Sequence, residues 1–132
     1  MTSVTRRSAL KTTLAGATAL AFPRLGVAAK KPQFAFSTLG CPTWDLDTIL
    51  KTAVTSGYQG VEFRGLMGEL DLTKSPAFST ASRARETRDR FAGAGIRICD
   101  LGSSAQLHHA DATKRAKHLG EARRFIDLAQ QL

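Results

Sequence analysis

Beyond residue 32 the chain switches repeatedly between two hydrophobic periods. Phe34-Ala35-Phe36-Ser37-Thr38 is a short apolar run of strand character that ends in Leu39-Gly40. From Trp44 to Ser56 the apolar residues Leu46, Ile49, Leu50 and Ala53 recur at i, i+3, i+4 and i+7, which predicts a helix. Asp45 or Asp47 is placed to cap its first turn, and Gly57 follows its last residue as a C-terminal stop. Gly60-Val61-Glu62-Phe63-Arg64 reads as a second strand, and a loop rich in Gly, Ser and Pro runs from Gly65 to about Phe78. A second helix is predicted from Ser79 or Thr80 to Ala94, with Ala84, Phe91 and Ala94 inward and a charged outer face; Gly95 closes it. Ile96-Arg97-Ile98-Cys99-Asp100-Leu101 is the third strand. After the loop from Gly102 to Ala110, a third helix starts near Asp111 or Ala112 and keeps helical spacing through Ala116, Leu119, Ala122, Phe125, Ile126 and Ala129.

This β-α-β-α-β-α order, at about thirty residues per unit, is the rhythm of parallel βα repeats. A parallel sheet buries both faces under helices or closes into a barrel, and three strands cannot close. The third helix ends at Gln131-Leu132 with no Gly or Asn stop and no following strand. The pattern therefore predicts an α/β fold that continues past residue 132, as the first part of a larger parallel assembly.

Charge changes the picture at one end only. The chain carries 19 Lys+Arg against 11 Asp+Glu, a formal charge of +8. Arg6, Arg7, Lys11, Arg24, Lys30 and Lys31 stand within residues 1–31, which hold no acid, so the remainder is nearly balanced. In that segment Thr5-Arg6-Arg7-Ser8-Ala9-Leu10-Lys11 precedes a mildly apolar run from Thr12 to Phe22, then the small residues Gly26-Val27-Ala28-Ala29. This is the plan of a twin-arginine signal peptide over residues 1–29, with residues 30–132 as the mature domain. The apolar run is too short for a stable membrane span. The expected partner is the twin-arginine export machinery, and the expected location is periplasmic or extracellular. Export of folded protein by this route favours a cofactor loaded before export, where metal choice is controlled.

Three stretches together carry a family resemblance: Ser37-Thr38-Leu39-Gly40-Cys41-Pro42 with Trp44 and Asp45, Gly57-Tyr58-Gln59-Gly60-Val61-Glu62-Phe63-Arg64, and Ala94-Gly95-Ile96-Arg97-Ile98-Cys99. From Phe34 to Leu132 the chain resembles the opening of the xylose isomerase-like barrels, which include sugar-phosphate isomerases and epimerases. The resemblance implies the first three βα units of a (β/α)8 TIM barrel, whose full form needs about 250 residues. It also implies a sugar or polyol substrate and proton transfer next to a carbonyl, assisted by a divalent metal such as Mn, Mg, Zn or Co. The family's metal ligands and catalytic bases come from later strands. The catalytic residues are thus expected beyond residue 132, and this chain is expected to bind no metal alone.

Barrel active sites lie at the C-terminal ends of the strands. The polar groups that fall there are Cys41, Glu62, Arg64, Asp100, Ser103 and Ser104, with His108 and His109 in the following loop. Glu62 stands between Val61 and Phe63 in a strand that should be buried, so it needs a substrate hydroxyl, a metal or an ion-pair partner such as Arg64 or Arg97. Arg64 shares its strand face and suits a substrate phosphate or carboxylate, or an ion pair that anchors a loop. His108 completes the substrate-binding candidates. Adjacent histidines in a polar loop, such as His108 and His109, more often divide into one exposed and one packed than into ligands. His118 falls on the third helix and is a weaker candidate.

Cys41 and Cys99 would lie roughly 9–10 Å apart across an intervening strand, beyond disulfide reach, so both are expected as free thiols. The charges from Arg83 to Arg90 alternate in sign and lack interleaved aromatics, which argues against nucleic acid as a partner. A non-catalytic carbohydrate-binding or interaction protein on the same scaffold remains the alternative to the isomerase.

Overall fold

The computed structural model describes residues 31–132, and every predicted strand and helix is present there, with ends moved by one or two residues. The export-signal reading of residues 1–29 lies outside the described residues. Strand β1 is Ala35–Ser37, helix α1 Leu46–Thr55, strand β2 Gly60–Phe63, helix α2 Ala81–Gly93, strand β3 Arg97–Leu101 and helix α3 Ala112–Ala129. Two short 3-10 turns, Thr38–Gly40 and Leu72–Lys74, lie in the loops after β1 and β2.

Local chemistry fixes the helix starts. Of the two candidate caps for α1, Asp45 serves: its Oδ1 accepts the Thr48 N–H at 2.8 Å. Thr80 Oγ1 accepts the Arg83 N–H at 3.2 Å to start α2, and Asp111 Oδ1 accepts the Lys114 N–H at 2.8 Å to start α3. Each satisfies an amide that the first helical turn leaves without a partner. Gly57 and Gly95, at φ of 73° and 74°, let the chain turn sharply after α1 and α2, where a side chain would be strained.

The three strands form one parallel sheet in the order β1-β2-β3, so the described residues form a mixed α/β fold with a small parallel sheet and three helices. Val61 and Phe63 of β2 are fully buried with Ile49 and Ala53 of α1 and Ala84 and Phe91 of α2, and Phe125 and Leu128 of α3 are nearly so. Phe63 packs edge-on against Phe78 and Phe91, at ring separations of 5.2 and 5.6 Å. All three helices therefore bury their stripes on one face of the sheet.

Among the described residues, no helix covers the other face. A Cβ built on Gly60 would stand 3.2 Å from Ala35 Cβ and 3.3 Å from Cys99 Sγ, which makes these residues neighbours on that face. Ala35, Cys99 and Asp100 are exposed there. The β2–β3 register slips after Val61: Ile98 pairs with Val61 and Asp100 with Glu62, leaving Cys99 as a bulged extra residue.

Several predicted inward positions point elsewhere. Ala94 is exposed because it lies past the last turn of α2, and Thr87 takes the inward place, its hydroxyl donating to the Ala77 carbonyl at 3.0 Å. On α3 only Phe125 and Leu128 are buried, while Leu119 and Ile126 are exposed. No helix among the described residues is long and apolar enough to cross a membrane.

Candidate functional site

At the C-terminal ends of the strands, one hydroxyl holds two loops together. Thr38, only 1% exposed, follows β1 directly. Its Oγ1 donates to the Gly65 carbonyl at 2.7 Å and accepts the Arg64 and Gly65 N–H groups at 3.0 and 3.3 Å. Both roles of the hydroxyl are used, and the backbone leaving β2 is fixed to the end of β1. The same loops meet again where the Gly68 N–H donates to the Pro42 carbonyl at 2.8 Å. Gly68 belongs to a tight turn with Met67, whose φ of 52° is the only positive value at a non-glycine among the described residues.

Arg64 leaves this clamp and crosses beneath Gly102, the first residue after β3. A Cβ at Gly102 would come within 2.4 Å of Arg64 Cδ and 3.3 Å of Glu62 Oε1, so the guanidinium stem and the carboxylate both pass here because position 102 has no side chain. Arg64 Nη2 donates to Ser104 Oγ at 3.0 Å, while Nη1 is buried and has no partner. Ser104 is held from behind, its N–H donating to Glu121 Oε1 of α3 at 2.7 Å. A chain of polar contacts thus runs from β1 through Thr38, Arg64 and Ser104 to α3.

Glu62 lies beside this chain without joining it. It is half-buried, in contrast to its neighbours Val61 and Phe63, because the period of the strand turns it onto the open face. Neither of the ion pairs considered for it, with Arg64 or with Arg97, is formed among the described residues. The result is a half-buried carboxylate, unpaired among the described residues, that passes Gly102 together with an arginine side chain whose Nη1 has no partner. Such a pair offers an acceptor for hydroxyls and a donor for anions.

The remaining candidates separate into other groups. Asp100 Oδ1 accepts the Leu101 N–H at 2.7 Å, and Ser103 Oγ accepts the Ala105 N–H at 3.3 Å. Asp100 and Ser103 line a groove of about 400 Å3 along the free edge of β3, with Leu101, Phe125, Ile126 and Leu132. His108 is exposed and His109 half-buried, the predicted division, and the two rings lie 4.7 Å apart. His109 also stacks on His118 of α3 at 4.9 Å. Cys41 and Cys99 are free thiols, and burial pushes the Cys41 thiol up, away from a reactive thiolate.

Beside Ser104, a mixed-charge cleft of about 460 Å3 is lined by Glu69, Asp71, Lys74, Lys117, Glu121 and Arg124, together with Leu70. Burial pushes the Asp71 carboxyl up, but its bonds to Thr73 and Arg124 and the charges of Arg124 and Lys74 outweigh that, and the net shift is down.

Thr38, Gly102 and Glu121 organise the site, and none of them stands among the sequence candidates. Gly102 had a partial signal as the first residue after the third predicted strand, though not for the side chains it lets pass, whereas Thr38 fell inside the first predicted strand. Glu121 had a weaker one, an acid one position before the apolar Ala122 on the helix face that approaches the sheet. No protein-family model, curated protein or solved structure matches the chain.

Proposed function

We propose that this chain forms the opening βα units of a TIM barrel and supplies the substrate-positioning side of an exported sugar or sugar-phosphate isomerase or epimerase. The observation that carries the reading is the grouping of Glu62, Arg64 and Ser104 at the C-terminal ends of a parallel sheet, on the face that no helix of the described residues covers. In a closed barrel that face is the interior, and ligands bind at that end. The groove along β3 fits the same picture, because an apolar trough beside an unpaired strand edge is the seat for a further βα unit.

In this reading Glu62 accepts hydrogen bonds from sugar hydroxyls, and Arg64, steadied by Ser104, holds a phosphate or carboxylate at one end of the substrate. His108, on the loop that carries Ser104, reaches the substrate from that side. The divalent metal expected of such an enzyme supplies Lewis-acid polarisation of the sugar oxygens. Among the described residues, no group of three His, Cys, Asp or Glu side chains fits such an ion. The part we assign to this chain, from Glu62, Arg64 and Ser104, is binding and orientation.

The test is a titration of the chain with aldoses, ketoses, polyols and their phosphates, followed by amide NMR. The expected result is a ligand-dependent shift of the Arg64, Gly102 and Ser104 amides that Arg64→Ala removes. Absence of any such shift across the series overturns the assignment. The same groups would serve a non-catalytic sugar binder. Solvent deuterium incorporation into the bound sugar, measured on any longer form of the protein, separates the two, because only an isomerase or epimerase exchanges a carbon-bound proton.

A further inference from the structure

Outside the proposed sugar site, the three histidines make the most unusual cluster in the described chain. His108, His109 and His118 stand in a row, with His109 between the other two at ring separations of 4.7 and 4.9 Å. The second contact is nearly parallel, at 25°, and joins the loop after β3 to the second turn of α3. Among the described residues no carboxylate forms an ion pair with any of the three rings.

We infer that this row is an acid-released latch: neutral imidazoles hold the loop from Gly102 to Ala110 against α3, and their protonation lets it go. Two imidazolium rings at this separation repel, and no carboxylate among the described residues pairs with them to compensate. The buried Nδ1 of His118 has no hydrogen-bond partner, so the ring is held in the row by stacking alone. The direction of the His109 titration agrees: loss of solvation, then the charges of His108 and His118, hold it below the ordinary imidazole range. A latch that binds fewer protons when closed is strengthened as pH rises and weakened as it falls.

The charged groups around the row do not cancel this effect. On α3, Lys114, Arg115 and Lys117 precede His118 within one helical turn and add positive rather than negative charge to this stretch of the helix, while Lys117 lines the cleft beside Ser104. Arg115 Nη1 donates to the His109 and Ala110 carbonyls at 3.4 and 3.3 Å, and it does so at any pH near neutrality. Asp111 is committed to the helix cap and Glu121 to the Ser104 N–H. From the loop after β2, Glu69, Asp71 and Lys74 line the cleft with Glu121 and Arg124, and none of them pairs with an imidazole.

The loop so held carries Ser104, the partner of Arg64. Its release would cost the guanidinium its one hydrogen-bond partner among the described residues, so substrate binding would weaken on acidification. That last consequence rests on the proposed function; the latch itself does not.

The experiment is an NMR pH titration of the full chain from pH 8 to pH 5, following the imidazole resonances and the amides of the loop. The expected result is that His109 titrates with a midpoint below the free value of about 6.5, and that the Ser104 and Ala105 amides move with the same midpoint. His118→Phe keeps a ring for stacking and removes the charge, so the loop amides should lose that midpoint while their pH 8 positions remain. His109→Phe should do the same and guards against a folding failure of the first variant. Loop amides that ignore the imidazole titration, or that follow it equally in both variants, overturn the latch. Sugar binding that fails in every form while the latch titrates as described would count against the proposed function alone.

Discussion

Strands β2 and β3 lie side by side in the same sheet, carry similar proportions of apolar residues, and have opposite fates. In β2, Gly60, Val61 and Phe63 are buried and only Glu62 is half-exposed; in β3, Arg97, Cys99 and Asp100 are exposed and only Ile98 and Leu101 are half-buried. Their helices repeat the contrast. α2 is closed over the core by Ala84, Thr87 and Phe91, whereas α3, the longest helix, buries only Phe125 and Leu128 and leaves Ile126 58% exposed. The difference is neighbourhood rather than composition. β2 has a strand on each side and a helix layer above it, while β3 has one free edge. Burial of a parallel strand depends on what pairs with its other side, and β3 has an open seat where β2 has β1.

The sharpest way to break this comparison is to remove the ring at its buried centre. Phe63 is fully buried and packs on two further rings, so Phe63→Ala should destabilise the chain by roughly 3–5 kcal/mol, the range for buried aromatic truncations. Urea unfolding followed by circular dichroism measures it. A loss below about 1 kcal/mol would mean that the core is far looser than its burial implies.

Next in size is the hydroxyl clamp. Thr38→Val keeps the shape and removes a donor and an acceptor, leaving the Gly65 carbonyl and the Arg64 and Gly65 amides without their partner. The expected loss is about 1–3 kcal/mol, and the effect should reach Arg64, whose amide resonance should shift. A stability change without that shift would place the role of Thr38 in packing alone.

How much of this was legible beforehand follows the range over which each feature is determined. The helix starts at Asp45, Thr80 and Asp111 and the turns at Gly57 and Gly95 depend on residues within one helical turn, and the sequence narrowed each start to two residues and placed both glycine turns. The alternation that turns Glu62 away from Val61 and Phe63 is equally local, though the openness of the face it meets is not. The Thr38–Gly65 and Arg64–Ser104 contacts join residues 27 and 40 positions apart, and no local periodicity encodes them. The exposure of Leu119 and Ile126 is the instructive failure. Their spacing is that of a buried stripe, but a stripe reports only that a partner surface is wanted, not that one is present. The close approach at Gly102 was out of reach because it depends on the path of an arginine side chain from the neighbouring strand.

Gly102→Ala probes that approach, with a smaller effect than the clamp. The new methyl meets Arg64 Cδ at 2.4 Å, so the guanidinium must move and give up Ser104. A loss of about 1 kcal/mol is expected, at the low end of overpacking, together with loss of any anion binding that Arg64→Ala also removes. Retained binding with unchanged stability would show that the Arg64 side chain has another route past position 102.

Acid adds a smaller increment through Asp71, which joins the loop after β2 to α3 by way of Arg124 at 3.1 Å. Its folded-state pKa is depressed, so its contribution is fully present above the unfolded carboxylate value of about 3.9 and is lost as pH falls through the lower folded value. Because Arg124 is half-exposed, solvent screening limits the contribution to about 1 kcal/mol or less. Asp71→Asn should cost that amount at pH 7 and flatten the acid limb of the stability profile. An unchanged limb would assign it to other carboxylates.

The smallest expected effect closes the comparison from the open side. Ile126 stands on α3 beside the β3 groove, with no partner to lose, so Ile126→Ser should change unfolding stability by less than about 0.5 kcal/mol. Set against Phe63→Ala, that would confirm that the two apolar side chains differ by location alone. If the groove is covered in solution, whether by a further βα unit in a longer protein or by a second copy of this chain, Ile126→Ser becomes costly in that form while remaining neutral in the uncovered one. Measuring the variant at low and high protein concentration separates these cases, because a second copy makes the penalty depend on concentration and a covalently continuous unit does not.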